Sequence, residues 1–203
     1  GILALDSRLN VTPSGGTPNT FENLYYGIIA SSFFNPLDNV YIDNNQFNNT
    51  YRGILLGQAD YSTVTRNTFN IAPWSNTVPS DPNSLNYPFG LYLYGCTGYK
   101  VEENDFNYPT AYNWNIGAIN FESGDNYNEI YNNKFTNIRY SLVAYNDNDG
   151  PNQFDGLEIR CNNFVNDVTD ITVLYGDIGE HQGKCQGILV PDAPAGNQFS
   201  HNC

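Results

Sequence analysis

The sequence is poor in the basic residues that binding to polyanions requires. It has eight Lys and Arg against 21 Asp and Glu, which gives a formal net charge of −13 with the acidic groups scattered along the chain. Phosphate recognition depends on clustered Lys and Arg, so nucleic acid and anionic membrane surfaces are poor candidate partners. No apolar run approaches the roughly 18 to 20 residues of a membrane span, so we expect no membrane insertion.

Histidine and methionine are also scarce. The only two histidines, His181 and His201, lie in the C-terminal tail, so a Ser or Cys nucleophile has no convincing His base. The chain has no Met and begins at Gly1, from which we expect a processed or excised segment of a longer product. Few basic residues with 16 Tyr, 18 Gly and abundant Asn and Thr resemble secreted β-rich proteins. We therefore expect a secreted protein.

What the chain has in excess is a three-residue word, Asn-any-Phe, that occurs seven times. Seven of the 12 Phe have Asn two residues before them, whereas 32 Asn in 203 residues would give roughly two by chance. The pairs are Asn19 and Phe21, Asn45 and Phe47, Asn67 and Phe69, Asn104 and Phe106, Asn133 and Phe135, Asn162 and Phe164, and Asn197 and Phe199. An internal repeat therefore organises the chain.

The neighbours of the repeated Phe recur as well. An aliphatic residue stands five positions before it in five repeats, and pairs such as Gly27-Ile28 and Gly53-Ile54 follow it. This alternation predicts two short strands per repeat, joined by corners that carry Asn or Gly. A basic rung of about 22 residues with insertions explains the Phe spacings and leaves no room for a full helix. Strands repeating at this period must pair in parallel with the next coil, which predicts an all-β parallel β-helix of about six to seven rungs.

This geometry predicts what the repeated residues do. Coils about 4.8 Å apart would stack each Phe on the Phe of the coil below. Asn tolerates the left-handed backbone of a tight corner, and its amide can bond the Asn of the neighbouring coils. The Asn and Phe residues of the word are therefore expected to be structural.

Two insertions leave the same corner on adjacent coils and should touch. They carry both tryptophans, and we select Trp74, Tyr87, Tyr108, Tyr112 and Trp114 as candidate ligand-binding residues. Aromatic faces beside polar groups suit sugar rings. The alternative is that these loops fold back and cover the outside of the sheet.

Alternation adds two further aromatic residues to this surface. Tyr92 and Tyr94 alternate with Leu91 and Leu93 and should therefore point outward. Their exposure is compatible with a binding surface and with simple packing.

The four cysteines are Cys96, Cys161, Cys185 and Cys203, an even number that permits disulfides. Three full pairings are possible and the sequence does not choose among them. Cys96 aligns with Ala59 of the previous repeat, which favours a buried free thiol. We expect one disulfide among the other three. No Cys-x-x-Cys or His-x-x-x-His spacing supports zinc, and we predict no cofactor.

Acidic residues offer only weak sites. Asp147 and Asp149 resemble part of a calcium loop, but the first and twelfth positions of the EF-hand pattern would be Tyr145 and Gly156, so a solvated turn is favoured. A cluster of acidic residues at 102–105 lies beside the Phe106 rung and is interpreted as a surface feature. We predict no catalytic residue and no metal site.

Several longer words resemble a known family. They are Phe21-Glu-Asn-Leu-Tyr-Tyr-Gly-Ile28, Tyr51-Arg-Gly-Ile54, Gly90-Leu-Tyr-Leu-Tyr-Gly-Cys-Thr-Gly-Tyr99, Val101-Glu-Glu-Asn-Asp-Phe106, Asn128-Glu-Ile-Tyr-Asn-Asn-Lys-Phe135 and Gly156-Leu-Glu-Ile-Arg-Cys-Asn-Asn-Phe164. They resemble the right-handed β-helix region of large exported surface proteins of Bacteroidota, substrates of type IX secretion, over about residues 21–199. The resemblance implies an extracellular or cell-surface scaffold without established catalysis.

Three hypotheses about function follow. The first is a structural or adhesive surface module of a larger secreted protein, and the second is a glycan-binding module using the Trp74/Trp114 corner. The third is a polysaccharide lyase or glycoside hydrolase, although the sequence words of polygalacturonases and an Arg-rich elimination site are missing.

We expect one domain over 1–203, with 1–18 and 183–203 as caps or as junctions to neighbouring domains or subunits. The possible partners are polysaccharides and other cell-surface proteins.

Overall fold

Each turn of the chain is built from three short strands that belong to three different sheets. The computed structural model describes residues 1–33, 36–73, 87–109, 114–122, 126–152, 155–179, 182, 184–185, 188–189 and 195–201. Three large sheets, which we call A, B and C, receive successive strands of the chain in turn. Every pairing within these sheets is parallel. No helix occurs in the described ranges, and none long and apolar enough to cross a membrane is found there.

The strands are two to six residues long. In chain order they are β1 (Ile2–Leu5), β2 (Asn10–Val11), β3 (Asn19–Glu22), β4 (Tyr26–Ser31), β5 (Leu37–Asp38), β6 (Tyr41–Asp43), β7 (Asn45–Thr50), β8 (Arg52–Gly57), β9 (Ala59–Asp60), β10 (Thr63–Thr65), β11 (Thr68–Ile71), β12 (Phe89–Tyr94), β13 (Lys100–Glu102), β14 (Asp105–Asn107), β15 (Ile116–Phe121), β16 (Tyr127–Tyr131), β17 (Lys134–Thr136), β18 (Tyr140–Tyr145), β19 (Gly156–Arg160), β20 (Asn163–Val165), β21 (Thr169–Leu174), β22 (Lys184–Cys185) and β23 (Ile188–Leu189).

The three long sheets form the walls of a solenoid. Sheet A contains β1, β4, β8, β12, β15, β18 and β21, sheet B contains β2, β6, β10, β13, β16 and β19, and sheet C contains β3, β7, β11, β14, β17 and β20. Parallel strands joined by crossovers take the right-handed path. The predicted all-β, right-handed parallel β-helix of six to seven rungs is therefore confirmed. The first coil already begins in the N-terminal segment, because β1 pairs with β4 and β2 pairs with β6.

The prediction of two strands per rung is wrong, because each rung has three. A corner divides the predicted strand that ends at Phe into two shorter strands. Three residues before the five central Phe of the repeat the backbone is left-handed, with φ between 52° and 57°. The residues at this corner are Asn44, Arg66, Glu103, Asn132 and Cys161. The Asn of the repeated word comes one residue later, so it is not the left-handed residue we predicted. Side chains as different as Arg and Cys accept this conformation, which is why the corner has no sequence signature.

The asparagines of the repeated word form a buried hydrogen-bonded column. Nδ2 of each Asn donates to Oδ1 of the next, over 3.0 Å from Asn45 to Asn67 and 2.9 Å from Asn104 to Asn133. The backbone N–H of Asn104 also donates to Asn133 Oδ1, and Asn104 Nδ2 reaches the carbonyl of Val64 one coil away. Each amide thus satisfies polar groups of its own coil and of both neighbours, as buried polar groups require.

The seven phenylalanines form one continuous stack, buried from Phe47 to Phe164 and 55% exposed at Phe199. Successive ring centroids lie 4.9, 4.8, 4.7, 4.8, 5.2 and 5.8 Å apart from Phe21 to Phe199, with interplanar angles of 4° to 15°. The spacing matches the distance between paired strands, so ring stacking and backbone pairing support each other.

A column of glycines lets the rings approach the backbone. A Cβ added at Gly27, Gly53, Gly90 or Gly117 would lie 2.5 to 2.7 Å from a ring atom of the Phe in the next coil. The next residue of the column is Ser141, and beyond it the rings separate to 5.2 Å and tilt by 15°. Glycine is therefore needed here for close packing rather than for an unusual backbone conformation.

The cysteines are only partly as expected. Cys96 is buried and free, as predicted from its alignment with Ala59. Cys161 is also free and lies on the surface at a coil corner, so it does not form the disulfide that we considered for it. The side chain of Cys185 and the whole of Cys203 lie outside the described residues.

The Phe stack should dominate stability. Phe106 is fully buried between Phe69 and Phe135, so we expect Phe106→Ala to lower the free energy of unfolding by about 3–5 kcal/mol. Urea denaturation measures this change. Phe33→Ala is the control, because Phe33 is 69% exposed and should cost little. Equal losses in the two variants would contradict the stack as the main source of stability.

The last coil holds a buried carboxyl group. Asp167 is 1% exposed, and its Oδ1 accepts the backbone N–H of Ile138 at 2.7 Å. Burial raises the pKa of Asp167 to about 6, although the Ile138 hydrogen bond acts in the opposite direction. Between the ordinary carboxyl value near 3.8 and about 6, the native state therefore holds a proton that the unfolded chain has released.

The stabilising contribution of protonated Asp167 should fall as the pH rises through this window. Each pH unit over which the native state keeps one extra proton changes the free energy of unfolding by about 1.4 kcal/mol. We expect wild type to lose stability between about pH 4 and 6 relative to Asp167→Asn, whose amide keeps the Ile138 contact without titrating. Denaturant titrations at several pH values test this. Parallel pH curves for the two proteins would contradict it.

Candidate functional site

The outer surface of sheet A is apolar and aromatic, unlike an ordinary solvent-facing sheet. In-register pairing aligns its outward residues into rows across the coils. The row at the C-terminal ends of the strands consists of Ser31, Gly57, Tyr94, Phe121, Tyr145 and Leu174. We call this surface of sheet A the aromatic face. Tyr92 and Tyr94 lie on it, as their alternation with leucines predicts.

A groove of about 1070 Å³ runs over the aromatic face. Half of its 18 described lining residues are aromatic, namely Tyr26, Tyr87, Phe89, Tyr92, Tyr94, Trp114, Phe121, Tyr140 and Tyr145. Arg52 is the single charged residue among those 18, and none of them carries a carboxylate. The groove therefore offers apolar contact area with phenol groups and few charges.

The floor of the groove is well packed. Phe89, Ile116, Ile119 and Val143 form a second apolar cluster separate from the interior of the solenoid. Burial raises the pKa of Tyr92, which packs on this cluster, to about 12. Its phenol therefore stays protonated and able to donate a hydrogen bond at any physiological pH.

Of the five ligand-binding residues predicted at the corner where the two insertions leave the coils, Tyr87 and Trp114 line the groove. The rings of Tyr87 and Trp114 stack at 5.2 Å, and Trp114 also lies 5.8 Å from Tyr140. The guanidinium of Arg139 lies 4.1 Å from the centroid of the Trp114 ring, a cation–π distance. Trp114 is 45% exposed, yet these neighbours occupy much of its ring surface.

The other three residues of that prediction do not join this site. Tyr108 is 3% exposed and packs in the interior of the solenoid, so it is a core residue rather than a ligand-binding one. Trp74 and Tyr112 lie outside the described residues. Of the predicted tryptophan pair, Trp114 alone can be placed.

Sequence reasoning missed a ladder of exposed rings along the edge of the aromatic face. Tyr94, Phe121, Tyr145 and Tyr175 lie on successive coils, with ring centroids 5.4, 4.9 and 5.3 Å apart. Tyr94 at one end is 43% exposed, and Tyr175 at the other end is 82% exposed. Alternation within each strand is the signal that could have identified Phe121 and Tyr145.

Arg52 is held by the aromatic residues around it. Its guanidinium carbon lies 5.1 to 5.6 Å from the ring centroids of Tyr26, Tyr25 and Phe89, and it donates a hydrogen bond to the Tyr26 hydroxyl. These contacts neutralise no charge, but they fix the cation at one end of the groove.

The acidic candidates lie elsewhere and act locally. Asp147 Oδ1 accepts the N–H of Asp149 at 3.0 Å, as in a closed turn. Glu102 pairs with Lys100 at 3.9 Å on sheet B, away from the groove. Among the residues that the structure describes, no three His, Cys, Asp or Glu side chains converge as a metal site would require.

Two carboxylates that the sequence did not single out do converge on sheet B. Glu129 and Glu158 pair in register on adjacent coils, and Arg160 forms ion pairs with both. Tyr127 donates its hydroxyl to Glu158 Oε2 at 3.2 Å. The four side chains form a largely buried, internally paired network. Both carboxylates are thus engaged by Arg160 within sheet B and do not line the groove of the aromatic face.

Comparison with known proteins gives one family. A family model described as periplasmic copper-binding protein (NosD) matches residues 13–171, more than half of the chain. No curated protein and no solved structure matches.

The described residues do not fit the copper ion in that family's description. Residues 13–171 contain no His and no Met, and their two cysteines are Cys96 and Cys161. Copper in proteins is bound chiefly by Cys, Met and His. Burial raises the pKa of Cys96 to about 12, so this thiol does not ionise readily, and Cys161 belongs to no group of potential ligands in the described part of the chain. A copper ion has no ligand set among these residues.

Proposed function

Because the chain belongs to the NosD family, whose members are exported β-helix proteins, we propose that it is a non-catalytic binding module and that its aromatic face binds polysaccharide. The observation that carries this proposal is the groove of about 1070 Å³ with nine aromatic lining residues on the outside of sheet A. A monomeric protein rarely leaves so much aromatic surface accessible without a ligand or a partner.

The composition of the groove favours a sugar polymer over a purely apolar ligand. Sugar rings have apolar C–H faces that pack on aromatic side chains and hydroxyls that need hydrogen-bonding partners. Tyr92, Tyr94 and Tyr145 provide both ring surface and phenol groups along the groove. The groove also crosses several coils, which suits a polymer rather than a single sugar.

The absence of carboxylates from the described lining supports binding without cleavage. Hydrolysis of a glycosidic bond uses two carboxyl groups about 5–10 Å apart on either side of the bond. One pair of carboxylates on adjacent coils, Glu129 and Glu158, lies on sheet B and is paired with Arg160. A lyase or hydrolase therefore has less support than a binding module.

Polysaccharide binding is testable on the ring ladder. We expect Tyr145→Ala to weaken binding of a responsive polymer at least about tenfold, or about 1.4 kcal/mol, because it removes a ring from the middle of the ladder. Affinity electrophoresis against a panel of soluble polysaccharides, followed by calorimetry, measures this. The control is Tyr41→Ala, which removes a partly exposed tyrosine from sheet B.

Two outcomes would contradict the proposal. Wild type that binds no polymer of the panel would exclude polysaccharide as the ligand class. Release of reducing ends or of unsaturated sugars during incubation would show an enzyme instead of a binding module.

A structural or adhesive module is the second candidate, and the exposure of the last strand of sheet A favours it. Val173 continues the interior column of Ala30, Leu56, Leu93, Asn120 and Ala144, which are buried to 1% exposure or less. Val173 itself is 40% exposed, and β21 is the last strand of sheet A. Within the described ranges no strand pairs with the outer edge of β21, and a partly exposed core column beside such an edge suits a further coil, from a neighbouring domain or a second subunit.

Stacking of a second copy on this end should depend on Val173. If copies stack, the weight-average mass in sedimentation equilibrium rises with concentration, and Val173→Lys abolishes the rise because it places a charge in the column. Val168→Lys is a matched control, since Val168 is also 40% exposed but lies outside the strand. A single monomer mass at all concentrations would contradict self-stacking.

We also propose display at the cell surface as part of a larger protein. The support is the likeness of the repeat words to exported Bacteroidota surface proteins, which implies the type IX route. Fractionation of the native host, with detection of this chain in outer-membrane or culture fractions, tests the location. Recovery only from the periplasm would contradict surface display.

A further inference from the structure

We propose that the ring ladder of the aromatic face has one missing rung, above Gly57, and that a neutral pyranose ring of the ligand fills it. This inference rests on the proposed polysaccharide binding and assigns one subsite within it. The ladder ends at Tyr94, and the next two positions of the same row are Gly57 and Ser31.

The geometry leaves room for one ring at this place. Ring centroids in the ladder repeat at 4.9 to 5.4 Å, close to the strand spacing, so the next ring beyond Tyr94 would lie over Gly57. A Cβ added at Gly57 would approach only Ser31 among the described residues, at 2.8 Å from Oγ. No atom of Tyr94 comes within 4 Å of that position, although Tyr94 is paired with Gly57 on the adjacent strand.

The two walls of this space match the two sides of a sugar ring. Tyr94 has Phe121 on one side and is 43% exposed, so its ring can present surface toward Gly57. On the far side the Ser31 hydroxyl lies where a hydroxyl of the sugar can bond it. An apolar ring on one side and a hydroxyl that leans over Gly57 on the other are suited to one pyranose ring.

The charges around this space select a neutral sugar over an acidic one. Glu122 lies close enough to Tyr92 to contribute to the raised pKa of its phenol, and Asp6 accepts a hydrogen bond from Ser32, the residue after Ser31. Arg52 lies at the opposite end of β8 from Gly57. With a chain net charge of −13, carboxylate sugars such as uronic acids meet a repulsive field here.

Filling the missing rung with a protein side chain tests the subsite. Gly57→Phe places a ring where the sugar would stack, whereas Gly57→Ala adds only the Cβ and displaces only the rotatable Ser31 hydroxyl. We expect Gly57→Phe to weaken binding of a soluble β-glucan or galactomannan at least tenfold, and Gly57→Ala to weaken it less than threefold. Circular dichroism and thermal denaturation establish that both variants are folded, and Tyr94→Ala gives an independent loss of the same stacking surface.

The polymers used as probes separate the possible results. Wild type should bind the neutral polymers with little change between low and moderate salt, and it should not bind polygalacturonate. Preference for polygalacturonate, or equal binding by wild type and Gly57→Phe, would overturn the subsite while leaving polysaccharide binding intact. Failure of wild type to bind any polymer would overturn the proposed function itself.

Discussion

In-register parallel pairing puts like side chains on top of one another at the spacing of paired strands, and the whole solenoid depends on this constraint. The interior is one coil wide, so a side chain is surrounded mainly by its equivalents above and below. A ring must lie on a ring, as Phe69 does on Phe106 at 4.7 Å. An amide must find an amide, as Asn67 does with Asn104 at 3.1 Å. The recurrence of Asn and Phe is thus a requirement of packing, since an isolated member of either column would lack its partners.

The same constraint separates stability from recognition. Inward columns are fixed by their neighbours, whereas outward rows have no such requirement and can change from coil to coil. On sheet B the outward positions hold an ion-pair network around Arg160, and on sheet A they hold rings. The aromatic groove on sheet A is therefore a property of this sequence and not of the fold. The fold supplies a rigid, regularly spaced support for it.

Features marked by the repeated residues could be predicted from the sequence. Features that no repeated residue marks could not. Phe marks every coil, so the rung length and the ring stack could be read directly. The third strand could not, because the corner before the repeated Asn accepts residues as different as Arg66 and Cys161. Tyr108 was assigned to a loop by alignment, but a tyrosine is amphipathic and this one is buried in the core.

The ring ladder shows the other limit of sequence reasoning. Phe121 and Tyr145 belong to no repeated word. Alternation marks them as outward, but the register of strand pairing is needed to place them beside Tyr94. The membership of the chain in a family described as copper-binding illustrates the same point. Ligand choice depends on outward side chains, which a shared fold does not determine.

The change from glycine to Ser141 in the interior column also gives the molecule a direction. From the N-terminal coils to Phe135 the rings are held at 4.7 to 4.9 Å, and beyond that point the separations widen to 5.2 and then 5.8 Å. Dispersion contacts weaken steeply with such widening. A pulling force applied at the C-terminal coil therefore meets the weakest stacking first, so under load the solenoid has a soft end and a stiff end.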